Sequence, residues 1–217
     1  MERTHRLWYD RREAGRGLAE RFEDLRGRAA DCTLVALPRG GVPVAAEMAM
    51  ALGLPLVTWA VRKVAHPAYP EYALGAVAPG GVVLWDEREG GFLRLGEEER
   101  QELVRNQEGE LERRRRVFGD PSAAELRGRH LIVVDDGIAT GMTTRAALAS
   151  LRRVEPASLT LAVPVVDRRL IPDLEAVTDR LEILRVVDGL RAVGEWYEHF
   201  EQLDDGDVLS WLQRCRR

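Results

Sequence analysis

The sequence of 217 residues has few cysteines and no excess of basic charge. Its two cysteines, Cys32 and Cys215, lie far apart in the chain, which excludes a disulfide framework or a zinc knuckle. Free cysteines are typical of the reducing cytoplasm, so we expect a cytoplasmic protein. The formal net charge is −4, whereas binding to a nucleic-acid backbone needs a basic surface. Nucleic acid is therefore excluded as the main ligand.

Long apolar segments are also scarce, and the one candidate for a membrane helix is interrupted. The segment Val42–Val61 is long enough to span a bilayer and carries a single charge, Glu47. Pro43 and the Gly53–Pro55 break interrupt it, and a carboxylate at mid-membrane depth costs roughly 3 kcal/mol. We expect a buried helix followed by a buried strand here, and no contact with a membrane.

Lysine is almost absent: Lys63 is the only lysine, and the other 31 of the 32 basic residues are arginine. A compact ammonium and a planar guanidinium are not equivalent at phosphate sites, so the one retained lysine is a candidate for such a site. A genomic preference for arginine, with one lysine retained by chance, explains the same count. Composition alone leaves both interpretations open.

Short apolar runs rich in β-branched residues alternate with helical patterns along the chain. Residues 43–52 and 143–153 have the apolar pattern of helices. Alternation of this kind predicts an α/β fold with a mainly parallel sheet. Six runs have the length and flanking turn residues of buried strands: 33–37, 56–61, 82–85, 131–134, 159–166 and 181–187.

Two segments depart from that alternation. Residues 73–78 and 81–85, joined by Pro79-Gly80, have the pattern of an inserted β-hairpin. The segment Gly96–Gly119 begins with acidic residues and carries four arginines near its end, an order that complements a helix dipole. Because its acidic half cancels the field of its basic half, we interpret it as a solvated helix. We predict one domain over residues 1–217, with a small cap built from about 1–28 and 188–217.

The most specific signal is the segment 131–144, Leu-Ile-Val-Val-Asp-Asp-Gly-Ile-Ala-Thr-Gly-Met-Thr-Thr. Its apolar residues predict a buried strand, Asp135 and Asp136 stand at the carboxyl end, and a Gly/Thr loop opens a helix. Helix-start amides and threonine hydroxyls can hold a phosphate, and paired carboxylates can accept hydrogen bonds from ribose hydroxyls. The segment predicts a site for a phosphorylated sugar. An acidic strand end with an ordinary helix cap is the alternative.

This segment resembles the signature of type I phosphoribosyltransferases, which bind phosphoribosyl pyrophosphate (PRPP). The resemblance implies a doubly wound, mainly parallel sheet, and it assigns the ribose hydroxyls to Asp135 and Asp136. Ala139 stands where hypoxanthine-guanine enzymes often carry a catalytic aspartate, so a 6-oxopurine substrate is in doubt and adenine enzymes are closer. The 5′-phosphate is assigned to the loop that follows the acidic pair: Gly137, Ile138, Ala139, Thr140, Gly141, Met142 and Thr143.

A second turn, Arg39-Gly40-Gly41, follows the first predicted strand. Its glycines let the backbone approach an anion and Arg39 supplies several donors, although an ordinary strand–helix turn has the same residues. Beside the acidic pair it resembles the family's pyrophosphate loop, which implies PRPP binding by Arg39, Gly40 and Gly41. We expect both loops in one crevice at the carboxyl ends of adjacent parallel strands.

A basic pair, Arg62-Lys63, follows the next predicted strand and precedes His66 and a proline-containing loop. A solvated turn is the plain interpretation. The pair also resembles the family's mobile catalytic loop, which implies that Arg62 and Lys63 stabilise the departing pyrophosphate. That loop and the hairpin are expected within residues 62–95. His66 is a further candidate for contact with the phosphate or the acceptor.

The C-terminal segment 193–200 is rich in aromatic residues, which usually serve cores. A packed cap is therefore one interpretation. Its Val-Gly start also resembles the stretch that closes the base pocket of purine enzymes, which implies stacking of the acceptor on Trp196 or Tyr197. The same resemblance places Glu198 near magnesium.

Five segments resemble, in their order along the chain, those of a bacterial group of phosphoribosyltransferases with no assigned acceptor: the N-terminal segment 9–15, the Arg-Gly-Gly turn, the basic pair, the acidic signature and the aromatic tail. We therefore expect a magnesium-dependent enzyme that transfers the ribosyl 5-phosphate of PRPP to a nitrogenous base or related acceptor and releases pyrophosphate. Its partners are expected to be small molecules, and a homodimer stays open. The alternative is a non-catalytic regulatory protein that binds PRPP or a nucleotide.

Overall fold

The computed structural model describes residues 6–86 and 95–216, apart from the side chains of residues 70 and 71. Eight strands lie in these ranges: β1 (Cys32–Ala36), β2 (Leu56–Thr58), β3 (Arg62–His66), β4 (Tyr69–Ala78), β5 (Val82–Trp85), β6 (His130–Val134), β7 (Ser158–Asp167) and β8 (Arg180–Val187). The helices are α1 (Arg11–Ala19), α2 (Gly41–Leu52), α3 (Glu97–Phe118), α4 (Ala123–Leu126), α5 (Met142–Arg152), α6 (Ile171–Glu175) and α7 (Asp205–Cys215).

Five strands form the main sheet in the order β2-β1-β6-β7-β8, and every neighbouring pair is parallel. The order reverses between β1 and β6: the chain moves outward through α2 to β2 on one side, and through α5 to β7 on the other. Because such crossovers are right-handed, the two helices cover opposite faces of the sheet. The prediction of a doubly wound α/β fold is confirmed.

One face of the sheet carries α2, with α1 and α7 packed around it. A close approach holds α1 to α2, because a Cβ atom at Gly15 would lie 2.9 Å from the Cβ atom of Glu47. Glu47 is buried there and binds Arg12, whose Nε lies 2.8 Å from Oε1. The terminal segments meet where Trp8 pairs with Tyr197. Helices α1 and α7 therefore pack on the helix that covers this face, and the segments around Trp8 and Tyr197 meet beside them.

The opposite face carries α5 and, beyond it, a three-stranded antiparallel sheet in the order β3-β4-β5. The hairpin of β4 and β5 turns at residues 79–81, close to the predicted position. The prediction of a loop after the basic pair was wrong, because residues 62–66 form strand β3 and pair with β4. Proline content suggested a loop there, but Pro67 lies in the turn between the two strands, where no ladder hydrogen bond is lost.

Helix α3 agrees closely with its predicted bounds and lies against the other face of the small sheet. Leu111 packs with Val64 and Val77 in a separate apolar cluster. Arg113 reaches α7, where its Nη2 lies 2.8 Å from the Asp205 carboxylate. In the described part of the chain, none of the helices combines the length and apolarity that crossing a membrane requires.

Candidate functional site

Two loops lie side by side at the point where the strand order reverses. Ala36, the last residue of β1, is the register partner of Val134, the last residue of β6. The loop 37–40 follows β1 and leads into α2, and Asp135 and Asp136 follow β6. Open α/β sheets bind ligands outside the carboxyl ends of their strands at such a switch point. The structure thus brings the two predicted loops into one crevice.

Glycine is required where the loops touch. A Cβ atom at Gly40 would collide with the Asp136 carboxylate, and one at Gly41 would collide with the Val134 carbonyl oxygen. The same added atom at Gly41 would lie 2.9 Å from the Cα atom of Asp135. The peptide between Pro38 and Arg39 is cis. The Arg-Gly-Gly turn therefore lies directly against the acidic pair, with its backbone facing the crevice.

The loop 137–141 leads from the acidic pair into α5. Gly141 caps the helix at φ 76°, a left-handed conformation in which glycine is favoured. The Ile138 amide donates to the Val165 carbonyl (2.9 Å), and the Asp167 amide donates to the Ile138 carbonyl (3.2 Å). These bonds join the loop to β7. The helix start leaves backbone N–H groups without intrahelical acceptors, as a phosphate site needs.

Burial raises the pKa of both acidic side chains above the ordinary range of aspartate. For Asp135 the neighbouring negative charge of Asp136 raises the pKa further. For Asp136 the charge and hydrogen bond of Arg11 oppose the effect of burial. The Asp136 amide donates to the Asp135 carboxylate (2.9 Å), and the Asp136 side chain is only 13% exposed.

Arg11 is a site residue that sequence reasoning missed. It is the first residue of α1 and only 9% exposed. Its Nε donates to Asp136 Oδ2 (2.9 Å), its Nη1 donates to the Glu201 carbonyl (3.0 Å), and its guanidinium lies 3.7 Å from the centre of the Phe200 ring. In the sequence it lies in segment 9–15, which carries part of the resemblance to the family, but nothing distinguished Arg11 from the neighbouring Arg12.

The aromatic tail lies beside the acidic pair, and Tyr197 is packed into it. Tyr197 is 2% exposed, its ring contacts Trp8 and Phe200, and its hydroxyl donates to the Asp136 carbonyl (2.6 Å). Burial raises the pKa of Tyr197, and the negative charge of Asp136 raises it further. The Trp196 Nε1 is buried without a hydrogen-bond partner among residues 6–86 and 95–216. In this arrangement Tyr197 supports the acidic loop from behind and offers no open face to a base.

A cavity of about 310 Å³ opens between the Arg-Gly-Gly turn, the acidic pair and the tail. A neighbouring cavity of about 500 Å³ shares Arg11, Glu201 and Leu203 with it. Neither is lined by Glu198, the predicted metal ligand, whose side chain is exposed. The first cavity is lined by Arg11, Arg39, Gly40, Asp136, Phe200, Glu201, Gln202 and Leu203.

The basic pair lies in strand β3, so its two side chains face opposite sides of the small sheet. Arg62 faces α3, where its Nε donates to Gln107 (3.2 Å). Lys63 pairs across the strands with Ala76, which packs in the core beside α5. His66 is at the far end of β3, where its Nδ1 accepts a hydrogen bond from the Ala68 amide (3.1 Å). The three predicted side chains are therefore not brought to one point.

Arginines from α3 and from the loop after β1 surround Arg62. Burial lowers its pKa, the positive charges of Arg114, Arg39 and Arg113 lower it further, and the charge of Glu110 opposes them. Arg114 is 9% exposed and shares Glu110 with Arg113, with Arg114 Nε lying 3.0 Å from that carboxylate. The interpretation of the four arginines as a solvated helix face was wrong for Arg114, because α3 lies against β3. A surplus of positive charge of this kind attracts anions.

We expect Gly41→Ala to destabilise the protein by about 1–3 kcal/mol, because the added carbon collides with backbone atoms of β6 that cannot move aside. Equilibrium unfolding in urea measures the change. Gly109→Ala is the matched control: Gly109 is exposed inside α3 with open space around its Cα, so alanine there should add about 0.5–1 kcal/mol of stability. Equal effects of the two substitutions would contradict the close approach of the loops.

Asp167, at the end of β7, provides a test by pH. Its buried carboxylate accepts hydrogen bonds from Arg169 (2.9 Å) and from the Leu190 amide (2.8 Å), and its pKa is lowered to about 2, chiefly by Arg169. The stabilisation is present above the ordinary aspartate pKa and is lost as the pH falls toward 2. Asp167→Asn should therefore lose about 1–2 kcal/mol at pH 7, since the exposed Arg169 is screened by solvent, and almost nothing at pH 2. Asp188→Asn, which alters an exposed pair with Arg168, should change stability at neither pH.

A doubly wound sheet whose switch point carries a glycine turn, an acidic pair and a phosphate-type loop defines the class of type I phosphoribosyltransferase folds. The model of the phosphoribosyl transferase domain matches residues 10–182, and the chain belongs to this family. The prediction of the family is confirmed.

Known proteins similar to this chain agree with that assignment. A Mycobacterium tuberculosis H37Rv protein named "Putative phosphoribosyl transferase Rv0571c" is 38% identical over 213 residues, 98% of this chain and 48% of that protein. The chain thus spans about half the length of this relative. The crystal structure of TT1426 from Thermus thermophilus has a TM-score of 0.72 and 37% identity, covering 95% of this chain and 98% of that one. A Neisseria gonorrhoeae protein crystallised with ppGpp has a TM-score of 0.51 and 13% identity, covering 96% of each chain, and shares the fold.

Proposed function

We propose that this chain transfers the ribosyl 5-phosphate group of PRPP to a nitrogenous acceptor. The proposal depends chiefly on one observation, the contact between the Arg-Gly-Gly turn and the Asp135–Asp136 pair at the switch point of the sheet. A sugar held by the acidic pair would have its C1′ substituent beside the turn. Membership of the phosphoribosyl transferase domain family supports the same chemistry.

In the proposed reaction the bond between C1′ and the pyrophosphate oxygen breaks, and its electron pair leaves with pyrophosphate. C1′ becomes electron-deficient and forms a bond with a nitrogen of the acceptor, which then loses a proton. Asp135 and Asp136 would accept hydrogen bonds from the ribose hydroxyls and favour the positive charge that develops on the sugar. The helix-start amides of loop 137–141 would hold the 5′-phosphate. No nucleophilic side chain is needed.

The leaving group would be stabilised by positive charge on its other side. Arg39 lines the cavity, and the charge of Arg62 lies close to those of Arg39 and Arg114. Lys63 would contribute its positive charge to the leaving pyrophosphate from the opposite face of β3. Because negative charge on pyrophosphate grows in the transition state, preorganised cations lower the barrier more than they strengthen binding.

Magnesium would enter with the substrate. No group of three or more metal-ligating side chains exists in the described ranges, so the residues do not form a cage of their own. Mg²⁺ usually takes one or two carboxylates and completes its shell with phosphate oxygens and water. Two carboxylates line the cavity, and because Asp136 is bound to Arg11, Glu201 is the one that would hold a diphosphate-bound ion. The ion would screen the charge of the diphosphate.

The decisive experiment incubates the protein with PRPP, Mg²⁺ and a panel of nitrogenous bases and measures released pyrophosphate, with calorimetry of PRPP binding alongside. We expect saturable PRPP binding and release of pyrophosphate that depends on one class of base. Binding without release for any base would favour the regulatory alternative. A folded protein that binds no PRPP would contradict both functions.

A further inference from the structure

We propose that Arg11 is a positioning residue of this site, which holds the Asp136 carboxylate in its working orientation and ties it to the C-terminal segment 200–203. Its consequence for PRPP binding rests on the proposed function, whereas the contacts that hold Asp136 do not depend on it. Arg11 lies outside both loops that the sequence singled out.

Three contacts fix the guanidinium. Nε donates to Asp136 Oδ2 (2.9 Å), Nη1 donates to the Glu201 carbonyl (3.0 Å), and Cζ lies 3.7 Å from the Phe200 ring centre. A buried guanidinium held in this way has one orientation, and so does the carboxylate that it binds. The same carboxylate also meets Gly40, where no side chain fits. Asp136 is thus held between α1 and the Arg-Gly-Gly turn.

The charge of Arg11 is needed as well as its geometry. Asp135 and Asp136 are adjacent, and burial favours their protonated forms. The groups that act on Asp136 are Asp135 from its own loop, Tyr197 from the tail and Arg11 from the N-terminal segment, and Arg39 and Glu201 line the same cavity. Arg11 is the cation that binds Asp136 directly, so it favours the ionised carboxylate that a ribose hydroxyl would need.

The contact leaves room for the sugar. Arg11 donates to Oδ2 of Asp136 and leaves the other oxygen, Oδ1, to other donors. A hydroxyl of the substrate could donate to Oδ1 while Arg11 remains in place. Arg11 also lines both cavities, so its position links the acidic pair to the space on either side of the tail segment.

The test compares Arg11→Gln and Arg11→Lys with Arg16→Gln. Arg16 is the control because it lies on the same helix as Arg11, is exposed, and pairs with Glu47 of α2. A ligand-free readout is the carboxyl carbon NMR titration of the acidic pair, and a second readout is PRPP affinity by calorimetry between pH 5 and 9. Thermal unfolding shows which variants are folded.

In Arg11→Gln we expect the titration midpoint of the acidic pair to rise by roughly one to three pH units. PRPP affinity at pH 7 should fall at least tenfold and recover as the pH is raised. Arg11→Lys should lie between this variant and the wild type, and Arg16→Gln should match the wild type. If Arg11→Gln does not fold, the lysine variant decides alone, because it keeps the charge and loses the planar geometry.

Unchanged midpoints and affinity in a folded Arg11 variant would overturn the proposal. Tighter PRPP binding after the substitution would overturn it too, since Arg11 would then block the site. A wild-type protein that binds no PRPP, but whose acidic pair still titrates differently without Arg11, would reject the proposed function and retain the positioning role.

Discussion

Asp136→Asn should lower the unfolding free energy by about 3 kcal/mol or more, whereas Asp135→Asn should leave it within about 1 kcal/mol of the wild type. The difference follows from Arg11. Removing the charge of Asp136 leaves a buried guanidinium without its counterion, while removing the charge of Asp135 relieves repulsion between two adjacent carboxylates. Urea unfolding at pH 7 measures both values.

The same two variants test the proposed binding of PRPP. Each should weaken PRPP binding by about 1.5–3 kcal/mol in calorimetry, the range for hydrogen bonds to a charged group. From the sequence alone we expect both substitutions to leave the fold intact, and the Arg11 contact changes that expectation for Asp136. A folded Asp135→Asn variant with unchanged PRPP affinity would refute the role of Asp135.

The raised pKa of Asp135 adds a control by pH. The folded protein holds the proton of this carboxyl to a higher pH than the unfolded chain does. Its contribution to stability is therefore present below the ordinary aspartate pKa and is lost as the pH rises through the raised pKa of the folded state. Asp135→Asn removes that loss, so the variant should gain stability relative to the wild type as the pH rises. A constant difference between pH 4 and pH 8 would contradict the burial of this group.

Lys63→Ala should reduce kcat by about a hundredfold while changing PRPP affinity much less. The lysine faces the α5 side of the small sheet. Its positive charge is expected to matter most in the transition state, when negative charge builds on the leaving pyrophosphate. Lys63→Arg should restore only part of the rate, because a planar fork does not replace a compact charge. Pyrophosphate release measures turnover with the acceptor found in the screen, or slow hydrolysis of PRPP otherwise.

Arg127→Ala serves as the matched control for Lys63, since it removes an exposed cation, 65% accessible, that pairs with Glu155. It should change neither turnover nor stability beyond about 0.5 kcal/mol. The Lys63 variant should also remain folded, because its side chain is exposed. A Lys63→Ala protein that unfolds easily, yet keeps full turnover in its folded fraction, would make this residue structural.

Periodicity and short motifs were enough to predict most of the architecture. The runs at 131–134 and 159–166 became β6 and β7 with ends shifted by one residue, because a buried strand flanked by turn residues has few other conformations. The glycine and acidic motifs were placed correctly at strand ends. Strand β3 was not predicted, because its mixed polar composition is not typical of a strand. It forms because it pairs with β4 in the small antiparallel sheet.

The sequence by itself determined the fold class and the position of two loops at the carboxyl ends of neighbouring strands. Both follow from local patterns, namely the alternation of apolar strand and helix runs and the glycine and acidic residues that end two of the strands. The tertiary structure alone decided which charges meet. Arg11 reaches Asp136 across 125 positions of sequence, Arg114 enters the surroundings of Arg62, and the basic pair is divided between two faces of a sheet. Segment 9–15 resembles the family, but whether Arg11 or Arg12 meets Asp136 has no local signal, because the partner is set by how α1 packs against the core.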